Sequence, residues 1–226
     1  MSEPIHCKDG GKARVLVVDD HPLLRRGFAQ LLEQEPDLTV CGEASEGGEA
    51  LRAIEQTNPD IVIVDIALRG IGGLELIKNI QARFPGLPIL AFSMHDENLY
   101  AERALRAGAR GYVMKEEASE KILIAIRQAL RGEVYLSEAM SRKLLMGLVK
   151  GGSSGESSVD TLSDRELEVF SMIGAGHSAS HIASELRLSV KTIETHIAHM
   201  KMKLNISSAA DLRTYAIEWR KTNGMP

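Results

Sequence analysis

Residues 13–145 alternate short apolar runs with longer amphipathic stretches. The runs are Ala13–Val18, Leu38–Cys41, Ile61–Val64, Pro88–Phe92 and Gly111–Met114. Ile61-Val62-Ile63-Val64 has no polar face, so it predicts a strand covered on both sides rather than one half in water. Between the runs, apolar residues recur at helical spacing over roughly 22–33, 47–57, 73–83, 97–107 and 119–131. In the last of these, Ile122, Ile126, Ala129 and Leu130 form the stripe. Five strands alternating with five helices predict an α/β doubly wound, five-stranded parallel sheet. Residues 137–146 predict one more short helix.

The pattern breaks over 147–160. Gly151-Gly152-Ser153-Ser154-Gly155-Glu156-Ser157-Ser158 carries no apolar anchor and reads as a flexible linker. From Leu162 the period is helical throughout. Ser163 and Glu166 form a capping-box pattern that starts a helix, and Gly174 and Gly176 stop it. A short helix over about 179–186, the turn Arg187-Leu188-Ser189 and a longer helix over about 190–204 follow. The longer helix carries Ile193, Ile197, Met200 and Leu204 as its stripe. A fourth spans about 208–220. Short helices joined by so tight a turn match a helix-turn-helix, giving a second, all-α domain. The expected division is 12–133, a short helix and linker over 134–160, and 161–226.

Composition narrows the class. A chain of 226 residues exceeds the usual size of one domain, and 44% apolar with 26% charged residues is ordinary for a globular protein. No apolar run is long enough to span a membrane, and Met1 to Lys12 is polar without a signal-like core. Cys7 and Cys41 show no metal-ligand spacing, which suits a reducing cytoplasm. Residues 1–160 hold 19 basic and 24 acidic residues, and residues 161–226 hold eight and seven. Charge alone therefore does not point to nucleic acid.

The strand ends carry the candidate chemistry. The first strand ends in Asp19-Asp20, the third in Asp65, the fourth in Ser93 and the fifth in Lys115. Any one of these alone reads as an ordinary turn or cap residue. Parallel strands place all of them on one edge, where open α/β sheets bind ligands. Three carboxylates that close do not all stay ionised without a cation, and an all-oxygen set suits Mg²⁺. The chemistry available is phosphoryl capture, with Asp65 as nucleophile and Ser93 and Lys115 on the remaining oxygens.

Val15-Leu16-Val17-Val18-Asp19-Asp20-His21, Asp60 to Asp65, Ser93 and Gly111-Tyr112-Val113-Met114-Lys115 together resemble the receiver domain of bacterial two-component response regulators, a flavodoxin-like fold. Leu162-Ser163-Asp164-Arg165-Glu166-Leu167-Glu168-Val169 through Lys203-Leu204 is similar to the LuxR-type helix-turn-helix, and the pair resembles the NarL/FixJ subfamily. The resemblance implies that a sensor histidine kinase phosphorylates Asp65. It implies Mg²⁺ held by Asp19, Asp20, Asp65 and the main-chain carbonyl of Ala67, a switch pair of Ser93 and Tyr112, and Lys115 paired with the phosphate. Arg69-Gly70 stands where the family usually has Pro, which is expected to loosen that loop. Met94 stands where a small residue is common and is expected to narrow access to Asp65.

The same resemblance makes helix 190–204 the reader of promoter DNA. Glu194, Thr195 and Ala198 occupy the family's base-facing positions, and Lys191, Thr192, His199 and Lys201 complete the expected contact set. Glu accepts from cytosine N4, and Ala or a Thr methyl meets a thymine methyl. The alternative is that Glu194 is a solvated charge. His196 is expected in the core. A small, nearly neutral domain holds DNA weakly, so a homodimer on two half-sites is expected. Leu212, Tyr215, Ala216 and Trp219 divide between that interface and the core, in a proportion the sequence leaves open.

The expected function is a cytoplasmic, phosphorylation-switched transcriptional regulator that is not an enzyme. A DNA-binding regulator whose receiver serves only as a dimerisation or partner module is the alternative. A phosphohydrolase passing through an aspartyl phosphate is disfavoured by the helix-turn-helix.

Overall fold

The computed structural model describes residues 11–149, apart from Arg69, His95 and Ala118, and residues 158–222. The N-terminal stretch with Cys7, Arg69 of the loop after Asp65, and Gly151–Ser157 of the expected linker lie outside the described residues. The chain divides into two compact units, residues 1–144 and 145–226.

In the first unit, β1 (Ala13–Val18), β2 (Leu38–Ala44), β3 (Ile61–Asp65), β4 (Ile89–Ser93) and β5 (Gly111–Met114) pair in parallel in the order β2-β1-β3-β4-β5. They alternate with α1 (Pro22–Glu33), α2 (Gly47–Thr57), α3 (Gly73–Arg83), α4 (Glu97–Ala107) and α5 (Ser119–Leu130). Strand β2 runs past Cys41 to Ala44. Gly42 and Glu43 end the apolar run, but the main chain keeps its pairing with β1 across a register shift between Val15 and Leu16.

Every residue of β3 is buried, as a strand covered on both faces requires. Val15, Val17, Ile61, Ile63, Leu90, Phe92 and Val113 pack against Phe28 and Leu32 of α1 and Ile122, Ile126 and Ala129 of α5. Burying each large aliphatic side chain contributes about 1.5–3 kcal/mol, so this face alone favours the sheet strongly. Phe28 meets Phe92 edge to face at 4.9 Å between centroids.

Helix α6 (Glu138–Val149) follows, ending later than the polar break suggested. The second unit holds α7 (Asp164–Gly174), α8 (Ala179–Glu185), α9 (Val190–Lys203) and α10 (Ala209–Thr222), after a 3-10 turn at Ser158–Thr161. The capping box is formed: Ser163 Oγ accepts from the Glu166 amide at 3.4 Å and Glu166 Oε2 from the Ser163 amide at 2.7 Å. The Ser178 and Ser189 side chains cap α8 and α9 by accepting from the His181 and Thr192 amides, without a reciprocal acid. Helix α7 packs on α9 and α10, and α8 on α9.

Candidate functional site

The sheet order reverses between β1 and β3, the switch point beyond whose strand ends open α/β sheets bind ligands. Val18 pairs with Val64, so the next residues, Asp19 and Asp65, stand side by side. Asp65 pairs with Phe92 and Ser93 with Met114, which sets Ser93 and Lys115 next along the same edge. Register therefore brings together four of the groups the strand ends supplied.

Asp19 is 1% exposed and Asp65 fully buried. The Lys115 ammonium lies 2.7 Å from Asp19 Oδ2 and 2.7 Å from Asp65 Oδ2, with its own side chain 3% exposed. Burial pushes the Asp65 carboxyl above its ordinary pKa, and the Lys115 charge opposes that shift. Asp65 Oδ1 accepts from the Ala67 amide at 3.0 Å, which fixes the carboxylate plane. The loop then folds back so closely that a β-carbon on Gly73 would lie 2.1 Å from the Asp65 carbonyl oxygen. Glycine is required there for α3 to begin under the site.

Carboxylate oxygens of Asp19, Asp20 and Asp65 and a ring nitrogen of His21 all lie within 4.8 Å of one another, a donor set that fits a divalent cation. His21 was read from the sequence only as part of a motif. Its Nδ1 is 3.1 Å from Asp19 Oδ1 and 2.9 Å from Asp20 Oδ1. Arg25 was also missed: its Nη1 donates to the Asp19 carbonyl at 2.6 Å while Nε pairs with Glu43 at 2.9 Å. Both contacts depend on how α1 leaves the turn, which periodicity does not reveal.

Ser93 is fully buried, and Tyr112 is 1% exposed. Burial raises the Tyr112 hydroxyl pKa, opposed by its hydrogen bond with Ser93. The ring of the expected switch pair thus lies inward, joined to the hydroxyl beside the site. Met94 is 58% exposed and stands in solvent, and Gly70 adopts a φ of +87°.

In the second unit, Ile193 and Met200 anchor α9 in the core. Lys191, Glu194, Thr195 and Ala198 are exposed along its outer face, and Lys201 is half-buried. Thr195 Oγ1 donates to the Lys191 carbonyl at 2.9 Å, so its methyl is the free group. Thr192 shares its hydroxyl with Ser189 at 2.8 Å and serves the helix cap. His199 lies 3.8 Å from Glu166, and burial lowers the pKa of half-buried His196. Leu212 and Ala216 are 1% and 0% exposed on α10, which packs against α7, and are core residues. Tyr215 and Trp219 lie on Phe170 at 5.9 and 5.6 Å between centroids and keep part of their surface outward. Among the described residues no helix is long and apolar enough to cross a membrane.

The family model for the response regulator receiver domain matches residues 15–127, and the model for bacterial regulatory proteins of the luxR family matches residues 160–216. The chain is 35% identical to the oxygen regulatory protein NreC of Staphylococcus carnosus over 210 residues, which cover 91% of this chain and 97% of that protein. It is 33% identical to the nitrate/nitrite response regulator protein NarL of Escherichia coli K12 over 208 residues, 92% of this chain and 96% of that one. The solved structure of RcsB from Salmonella enterica serovar Typhimurium, bound to promoter rprA with phosphomimetic BeF3-, is similar with a TM-score of 0.61 and 28% identity, covering 91% of this chain and 98% of that one. Matches of this extent in both halves place the chain in the NarL/LuxR family of two-component response regulators, with a phosphorylatable receiver followed by a DNA-binding domain.

Proposed function

We propose that a sensor histidine kinase phosphorylates this chain on Asp65, and that the phosphorylated form binds promoter DNA as a homodimer in the cytoplasm. The receiver spans 12–133, residues 134–160 connect, and 161–226 bind DNA. The observation that carries this reading is the Lys115 ammonium between two buried carboxylates at the strand switch point. A lysine so placed neutralises Asp65 at rest and is positioned to pair with phosphoryl oxygens when Asp65 carries them.

Asp19, Asp20, Asp65 and the Ala67 carbonyl would hold Mg²⁺, whose charge offsets that of the incoming phosphoryl group. Asp65 supplies the attacking oxygen. Ser93 donates to the phosphoryl group in place of its present bond with Tyr112, so the pair reports the modification. On DNA, Glu194, Thr195 and Ala198 face base edges while Lys191 and Lys201 contact phosphates. Thr192, whose hydroxyl also meets Ser189, and His199, whose side chain is 51% exposed, complete the contact set. Tyr215 and Trp219 supply the α10 dimer contact.

Selection from a randomised duplex pool with the full chain tests the proposal. Beryllofluoride and Mg²⁺ should enrich a two-half-site sequence that the untreated protein enriches far less, and Asp65→Asn should abolish the difference. Equal enrichment with and without beryllofluoride would favour a receiver that acts only as a partner module.

A further inference from the structure

The segment after α5 returns to the receiver at the residues that report its state. The Tyr112 amide donates to the Tyr135 carbonyl at 3.1 Å, and the Tyr135 amide to the Arg110 carbonyl at 2.9 Å. The main chain of 135 thus extends the sheet edge beside β5. Gly111 permits this approach, since a β-carbon there would lie 2.7 Å from the Tyr135 oxygen. Two residues on, Ser137 Oγ donates to Glu97 Oε1 at 2.7 Å and accepts from the Met140 amide at 3.0 Å. One hydroxyl therefore caps α6 and ties it to the first turn of α4. One turn further, Lys143 Nζ donates to the Asn98 carbonyl at 3.1 Å.

Glu97 and Asn98 open α4 only four and five residues after Ser93, with Asp96 as the helix cap. Met140, 1% exposed, is the buried anchor of α6, while Leu145 and Met146 are each 62% exposed. Among the described side chains of α6 only Met140 is buried, and a helix end held by few buried contacts and a few polar ties belongs to the low-stability end of a fold.

We propose that α6 is a releasable latch on the receiver. Glu97 and Asn98 hold it at rest, and rearrangement of the loop from Ser93 to α4 lets it go. This rests on Asp65 being the phosphorylated residue. Lys143 and Glu97 are then positioning residues for the connection, with no part in phosphoryl transfer.

Hydrogen exchange of the full chain, with and without beryllofluoride and Mg²⁺, reads the latch directly. Amides of 140–146 should exchange about tenfold faster in the activated wild type, the loss of one or two charge-assisted ties. Glu97→Ala leaves the Ser137 cap intact and should produce the fast exchange without beryllofluoride. Lys143→Ala should do so in part. Both variants should still take up a phosphoryl group from acetyl phosphate, read as intact mass on the same samples. Slow exchange at 140–146 in every unphosphorylated variant, or unchanged exchange in a wild type that demonstrably carries the phosphoryl group, overturns the latch. A wild type that takes up no phosphoryl group while Glu97→Ala still loosens α6 would leave the latch standing and remove Asp65 as its trigger.

Discussion

Lys115 and Asp65, fifty residues apart in sequence, meet at 2.7 Å with almost no exposure on either side chain. The same ammonium serves Asp19, so the two partners are not equivalent to lose. Lys115→Met leaves two buried carboxylates facing each other and should destabilise the Mg²⁺-free receiver by about 3 kcal/mol. Asp65→Asn leaves Lys115 with Asp19, so no buried charge loses its last partner and the loss should be smaller. Urea unfolding of both variants checks the asymmetry; equal losses would mean that Asp19 does not share the lysine.

Added Mg²⁺ should raise the receiver's melting temperature, because a cation that binds only the folded acidic site stabilises by mass action. Asp20→Asn removes a ligand without touching the Lys115 pair and should abolish most of that rise. Calorimetric titration of Mg²⁺ into each protein gives the affinity independently of melting. A rise undiminished in Asp20→Asn would place the cation elsewhere.

On the recognition helix, charge and reading separate. Lys191→Ala should weaken binding to every sequence and reduce the salt slope of log K by about 1. Glu194→Gln should instead relax discrimination at one base pair of each half-site, by about 1–3 kcal/mol. Titrations of a selected site and its single-base variants at several salt concentrations distinguish these outcomes. Uniform tightening in Glu194→Gln would make that residue a repelling charge rather than a reader.

Glu166 ties α7 to α9 through Lys203 at 2.6 Å. Burial alone raises its carboxyl, but the hydrogen bonds from Lys203 and Ser163 outweigh burial and hold it below the ordinary value of 4.5. A depressed folded-state pKa gives stability that is present above the unfolded-state value and lost as pH falls through the folded one. The second unit should therefore lose stability on acidification below about pH 4.5, and Glu166→Gln should be less stable at neutral pH yet flatter in this range. Trp219, the sole tryptophan, lies in that unit and provides the fluorescence signal.

The acidic site was legible because β1 beyond Arg14, β3, β4 and β5 stay apolar up to the polar group that ends or follows each, so that group is conspicuous. Register then does what sequence order implies, and Asp19, Asp65, Ser93 and Lys115 share an edge. The roles of His21, Arg25 and Ser137 were not legible. Each makes its contact through a side chain leaving a helix start, and that direction is set by packing rather than by period. The same limit applies to α10. Leu212 and Tyr215 lie on one predicted stripe, but only the arrangement of α7 shows that the first is core and the second half-open.

Everything proposed for the receiver depends on Asp65 accepting the phosphoryl group. Intact-protein mass after incubation with acetyl phosphate and Mg²⁺, for wild type and Asp65→Asn side by side, addresses this without any partner protein. One phosphoryl group gained by the wild type and none by the folded variant is the expected outcome. The same gain in Asp65→Asn, or no gain in a folded wild type, would remove Asp65 from the mechanism.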